Sequence, residues 1–187
     1  MLVVGPGGEA DLASRRSRLA GWLRRGGRTL AIGLDGEEAR RFLPMKLATT
    51  RGEHIAAYFP PPAATSLLAG VAPADVHCRQ PRKIPLVTAG AKPVGNGALA
   101  AAEDRGVVFY QLVPWRLEPA KHAHERRTFR RASSLLTRLL ANLGADSRTP
   151  LFERFAAPVR DGERRWLEGL YLDEPVEWDD PYRFFRW

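Results

Sequence analysis

Gly5-Pro6-Gly7-Gly8-Glu9-Ala10 satisfies the G-x-G-x-x-G/A spacing of a dinucleotide-binding turn. Asp35 stands at the end of the next apolar run, where an acid would meet a ribose hydroxyl. That chemistry needs free backbone amides and a helix dipole turned toward a pyrophosphate. Pro6 removes one amide, and Glu9 and Asp11 bring two negative charges to the same place. The segment therefore reads as the turn that ends a strand, its acids complementing a helix N-terminus. No cofactor is expected. Gly5, Gly7 and Asp35 are the residues that a nucleotide- or dinucleotide-binding alternative would use.

Three further constellations could carry chemistry. Cys78 follows His77, but a base activates a nucleophile only from within hydrogen-bond reach, which adjacency in sequence does not supply. The surrounding prolines leave no strand-to-helix elbow, so a semi-buried structural thiol is expected. His122 and His124 flank Ala123 beside Lys121. Two helical zinc ligands would stand four apart with further ligands elsewhere, and a solvated loop without metal is the expectation. Asp173, Glu174, Glu177, Asp179 and Asp180 lack the alternating spacing of a calcium loop, and nothing builds the cleft of a glycosidase pair. They read as capping and pairing groups for Arg183 and Arg186. No catalytic residue is assigned.

The elements that would position these residues alternate. Residues 2–4 form a short buried strand. Asp11 is the expected N-cap of a helix running to about residue 25, with Leu12, Leu19, Trp22 and Leu23 on one face. Gly26-Gly27 stops it. Residues 29–34 make an uninterrupted apolar strand, and 37–43 a short helix closed by Pro44. This β-α-β-α order predicts a parallel sheet with packed helices. One strand is expected within 46–58. Residues 72–92, with Pro73, Pro81 and Pro85, predict loop and short edge strands. Residues 98–103 and 107–113 form a hairpin across Asp104-Arg105-Gly106. The strongest helical pattern spans 123–143, its stripe being Phe129, Ala132, Leu136, Leu139, Leu140 and Leu143.

The chain has 187 residues, 44% of them hydrophobic, enough for one domain over 1–145 with an extended tail over 146–187. Its start inside an apolar strand predicts the C-terminal piece of a longer protein. The formal charge is +8, yet lysine occurs only at 46, 83, 92 and 121, and the arginines are dispersed except in Arg15-Arg16-Ser17-Arg18 and Arg126-Arg127-Thr128-Phe129-Arg130-Arg131. Nucleic acid is therefore not an expected partner. No apolar run reaches the roughly 18 residues of a membrane helix, so no membrane partner is expected. The single cysteine excludes an internal disulfide. In the tail, Asp180 can cap a turn opened by Pro181, gathering Tyr182, Phe184, Phe185 and Trp187 next to Trp178. Left in water these aromatics would form a costly patch, so a docking clamp is expected, with Arg183 pairing with nearby acids.

Three stretches carry a family resemblance: LVVGPGG with LAGWLRRGGRTLAIGLDGEEARRFLP, then GVVFYQLVPWRLE, then RRTFRRASSLLTRLLANLG followed by YLDEPVEWDDPYRFFRW. Together they resemble the class I glutamine-amidotransferase-like α/β domain at the C-terminus of large bacterial glycoside hydrolases of the β-galactosidase type. The resemblance is diffuse over 46–92. It implies a flavodoxin-like three-layer sandwich with a mainly parallel sheet, a late hairpin, a long C-terminal helix and a docked tail. A working amidotransferase carries Cys on a G-x-C-x-G elbow with His and Glu partners; this chain has no such elbow. The resemblance thus implies a non-catalytic structural or interaction domain. It further implies, as partner, an upstream catalytic module of an exported parent enzyme or a like subunit.

Overall fold

The computed structural model describes residues 1–120, 122 and 125–145. The chain divides into two units, Met1–Asp146 and Ser147–Trp187, and every strand and helix named below belongs to the first. In chain order its strands are β1 (Leu2–Val4), β2 (Thr29–Ile32), β3 (Ala48–His54), β4 (Arg82–Ala89), β5 (Lys92–Val94), β6 (Leu99–Ala102) and β7 (Val107–Tyr110). Its helices are α1 (Gly8–Leu12), α2 (Arg16–Arg24), α3 (Gly36–Phe42) and α4 (Arg126–Asn142).

Five strands form one sheet in the order β1-β2-β7-β6-β5, and β3 and β4 form a separate antiparallel ribbon. The β1–β2 and β2–β7 ladders are parallel, with Thr29 opposite Val107 and Ile32 opposite Tyr110. The β7–β6 and β6–β5 ladders are antiparallel. The fold is thus α/β, and its sheet is mixed where a mainly parallel one was expected. Connection length is the reason. Parallel neighbours need a crossover, which α1 and α2 supply between β1 and β2, whereas short turns join β5 to β6 and β6 to β7. The β5–β6 turn depends on Gly97, at φ 88°, where a Cβ would lie 2.2 Å from the Val87 carbonyl oxygen.

Alternation along the strands sends side chains to two cores. Leu30, Ile32, Leu99, Ala101, Val108 and Tyr110 face a cluster that includes Ala132, Leu135 and Leu139 of α4 and Leu143 just after it. Ala31, Ala100, Ala102, Val107 and Phe109 face the other, with Leu19 and Leu23 of α2 and Ala39 and Phe42 of α3. Full burial of each large side chain contributes about 1.5–3 kcal/mol, so a strand apolar on both faces is held from both sides. Tyr110 also ties the sheet to α4: its hydroxyl donates to the Ala132 carbonyl at 3.0 Å.

Three expectations are corrected. The helix predicted from Asp11 to about 25 starts at Gly8 behind Gly7, and a 3₁₀ turn at Ala13–Arg15 divides it. Asp11 lies inside α1, and the amide of Gly8 is met by the Gly5 carbonyl at 3.1 Å. β4 is a strand of eight residues, longer than the short edge strands expected of 72–92. It tolerates Pro85 because a two-stranded ribbon leaves one side of each strand unpaired. The stripe of α4 is centred on Leu135 and Leu139, while Phe129, Leu136 and Leu140 are half-buried beside it.

Candidate functional site

A cleft of about 850 Å³ opens beyond the carboxyl ends of β2 and β7. In open α/β sheets this is where ligands settle, because loops and helix starts converge there. On one side the chain leaves β2 through Gly33, whose amide donates to Tyr110 O at 2.8 Å, and turns into α3 at Asp35. Asp35 is the N-cap of α3: its Oδ1 accepts from the amides of Glu37 (2.8 Å) and Glu38 (2.9 Å). Glu38 Oε2 accepts from the Asp35 amide at 2.8 Å, completing a capping box. On the other side β7 runs into Gln111 and the 3₁₀ turn Pro114–Arg116. The β3–β4 ribbon forms a further wall, fixed to α3 where the Gly36 amide donates to Thr49 Oγ1 at 2.9 Å.

The lining is charged. Arg51 and Lys83 come from the ribbon, Arg40 from α3 and Arg116 from the turn after β7. Asp35, Glu37 and Glu38 line it as well. Arg82 is already paired, its guanidinium 2.5 Å from Glu125 Oε1. Glu125 Oε2 accepts from the Glu118 amide at 2.6 Å, and this bond, with Arg82, holds the Glu125 carboxyl below the usual carboxylate range despite burial. Gln111 is 1% exposed. Its Nε2 donates to Leu34 O at 3.1 Å, while its buried Oε1 has no hydrogen-bond partner. Leaving such an acceptor unmet costs about 1–3 kcal/mol.

Of the glycine-turn residues and the acid paired with them from sequence, Gly5 and Gly7 lie at the end of β1, and Asp35 alone of the three lines the cleft. A Cβ on Gly5 would stand 3.0 Å from the ring of Trp115, which covers the glycine turn and is 55% exposed. Glu9 is buried and points to α3, with Oε1 3.4 Å from Arg41. α1, with five residues, offers too short a dipole to hold an anion.

Cys78 is fully buried, where a semi-buried thiol was expected. Burial pushes the thiol up to about 11, against the pull of Arg82 and Arg131. His77 beside it accepts from Arg131 at 2.6 Å through Nδ1, and its pKa is lowered by burial, by Arg131 and by His54. His54, also fully buried, donates from Nε2 to Val76 O at 2.6 Å and accepts from Asn96 at Nδ1, 2.9 Å away. Both its ring nitrogens are therefore committed to the fold. His122 is exposed, 3.9 Å from Glu118. Among the described residues no cluster of three or more His, Cys, Asp or Glu side chains could hold a metal ion. Among them, too, no helix is long and apolar enough to cross a membrane. Lys121, His124 and the tail residues Asp173, Glu174, Glu177, Trp178, Asp179, Asp180, Tyr182, Arg183, Phe184, Phe185, Arg186 and Trp187 lie outside the described residues.

Sequence reasoning missed Gln111, Arg51, Lys83 and Arg116. One signal was present: Gln111 interrupts the apolar run of β7 at its carboxyl end, where a parallel strand delivers functional groups. No protein-family model matches this chain, and neither a curated protein nor a solved structure does.

Proposed function

We propose that this chain is a non-catalytic structural and interaction domain of a carbohydrate-active enzyme, engaged by the catalytic module of a glycoside hydrolase or by a like subunit. One observation carries the reading. An α/β fold presents a nucleophile at a strand-to-helix turn, on a strained residue. The turn after β1 holds Gly5-Pro6-Gly7, and the turn after β2 holds Gly33-Leu34-Asp35, in which Asp35 is extended (φ −81°, ψ 178°) and occupied as a cap. The one thiol, Cys78, is walled into the core at a pKa of about 11. Neither turn offers an amidotransferase elbow.

The carbohydrate setting rests on the resemblance to amidotransferase-like accessory domains. A flavodoxin-like core is part of the proposal. The parallel β1-β2-β7 unit, with helices against both faces, speaks for it, and antiparallel β6 and β5 are departures from it. The test is co-expression with any hydrolase module encoded in frame upstream, followed by gel filtration and by assays on nitrophenyl glycosides and glutamine. The expected result is co-elution with that module and no turnover by the isolated chain. Turnover that disappears in Cys78→Ala, or a hydrolase module that elutes without this chain, overturns the reading.

A further inference from the structure

The cleft beyond β2 and β7 carries two features for which the fold itself has no use. Arg51, Lys83 and Arg116, from three separate segments, line it without an ion-pair partner among the described residues. Arg40, Arg51, Arg82, Lys83 and Arg116 on one lining outweigh Asp35, Glu37 and Glu38, so the cleft favours an anion. The second feature is independent of charge: Gln111 lines the same cleft, is 1% exposed, and has an Oε1 without a donor. A buried amide oxygen in that state is matched by a ligand that brings an O–H or N–H group.

We propose that this cleft binds a small polyhydroxylated anion, a sugar acid or a sugar phosphate. Its anionic group is held by Arg51, Lys83 and Arg116, and one of its hydroxyls donates to Gln111 Oε1. The volume of about 850 Å³ lies within the range of small-molecule sites. The carboxylates of Asp35, Glu37 and Glu38 on the same lining accept further hydroxyls and disfavour ligands of high negative charge. A neutral sugar leaves the cations unserved. A bare inorganic anion brings charge and no polyol for the rest of the lining. The inference stands apart from the interaction-domain reading, since it concerns the cleft of this unit alone.

The test is titration of the 187-residue protein with glucuronate and with glucose 6-phosphate, against glucose and inorganic phosphate, by calorimetry and by amide chemical shifts. Saturable one-site binding of at least one anionic sugar is expected, shifting the Gln111 side-chain amide resonances. Inorganic phosphate should bind at least about tenfold more weakly, and glucose not measurably. Arg51→Gln and Arg116→Gln should each weaken binding about tenfold, the loss of one charge-assisted contact. Both side chains are exposed and without an ion pair among the described residues, so thermal unfolding should stay unchanged. Tighter binding of glucuronate assigns the carboxylate, and tighter binding of glucose 6-phosphate the phosphate. No saturable binding of either at millimolar concentration overturns the proposal. So does affinity unaltered in both variants, or inorganic phosphate binding as tightly as the sugars.

Discussion

Replacing Asp35 by alanine measures what the cap of α3 contributes to stability. In the native protein one carboxylate oxygen serves two amides at the start of α3, at 2.8 and 2.9 Å, and Glu38 returns a third bond to the Asp35 amide. Asp35→Ala leaves the two amides to water and frees Glu38 from its partner. The cap is exposed, so water recovers part of the loss. The cost should be that of an N-cap, about 1 kcal/mol and at most about 2. For a chain of this length that is roughly 2–8 °C in melting temperature. Asp35→Asn keeps the acceptor and should cost less than about 0.5 kcal/mol. Because the box is reciprocal, Asp35→Ala and Glu38→Ala should fall short of additivity by about 0.5 kcal/mol or more. Urea denaturation monitored by circular dichroism, applied to the wild type, the three single variants and the double alanine variant, measures each of these. An alanine variant as stable as the wild type, or an asparagine variant as unstable as the alanine one, refutes Asp35 as a cap.

The buried histidine and thiol neighbourhood sets two more outcomes. Cys78 should resist alkylation by iodoacetamide in the native protein at about pH 8 and react only at the rate of unfolding, since burial holds it protonated near 11; fast labelling that leaves the circular dichroism unchanged would contradict its placement. His77 has a native pKa below its ordinary value, so the unfolded chain binds a proton that the native one refuses. Its contribution to stability is complete above about pH 6.5 and declines as the pH falls through that value toward the lowered native one. His77→Gln should therefore reduce the stability lost between about pH 7.5 and 5.5, and an unaltered slope would show that other groups set it.

What was legible in the sequence was what short-range patterns encode. β1, β2, the β6–β7 hairpin and α4 are apolar runs or stripes bounded by glycine, and each lies within the range its pattern predicts. The cap of α3 was written in the sequence but not read from it: Asp35-Gly36-Glu37-Glu38 carries an acid followed by Glu three positions on, yet Asp35 was weighed only for a ribose-binding role. β4 was hidden because Pro81 and Pro85 argue against a strand unless its outer side is known to be unpaired. The division of the first helix was not encoded by a side-chain cap: neither α1 nor α2 has a side-chain bond at its N-cap. The cleft was the least accessible. Arg51, Lys83, Gln111 and Arg116 come together only because β7 lies beside β2 and the ribbon folds back onto α3, long-range facts that no local period carries.

The middle strand of the five is also the last of them to be made. Val107–Tyr110 inserts beside Thr29–Ile32 and completes both apolar faces at once, Val108 and Tyr110 on one and Val107 and Phe109 on the other. On the ribosome, then, β1 and β2 emerge as a two-stranded stub whose inner edge stays open while the intervening ribbon and edge strands are synthesised. Such an edge is a template for pairing with a neighbouring chain, and contacts this distant in sequence close slowly. The nascent chain keeps that edge open until its tetrapeptide Val107-Val108-Phe109-Tyr110 leaves the exit tunnel. A chain that ends short of it leaves the inner side of β2 unpaired, and even with β7 in place the face of Val108 and Tyr110 closes only once α4 has followed.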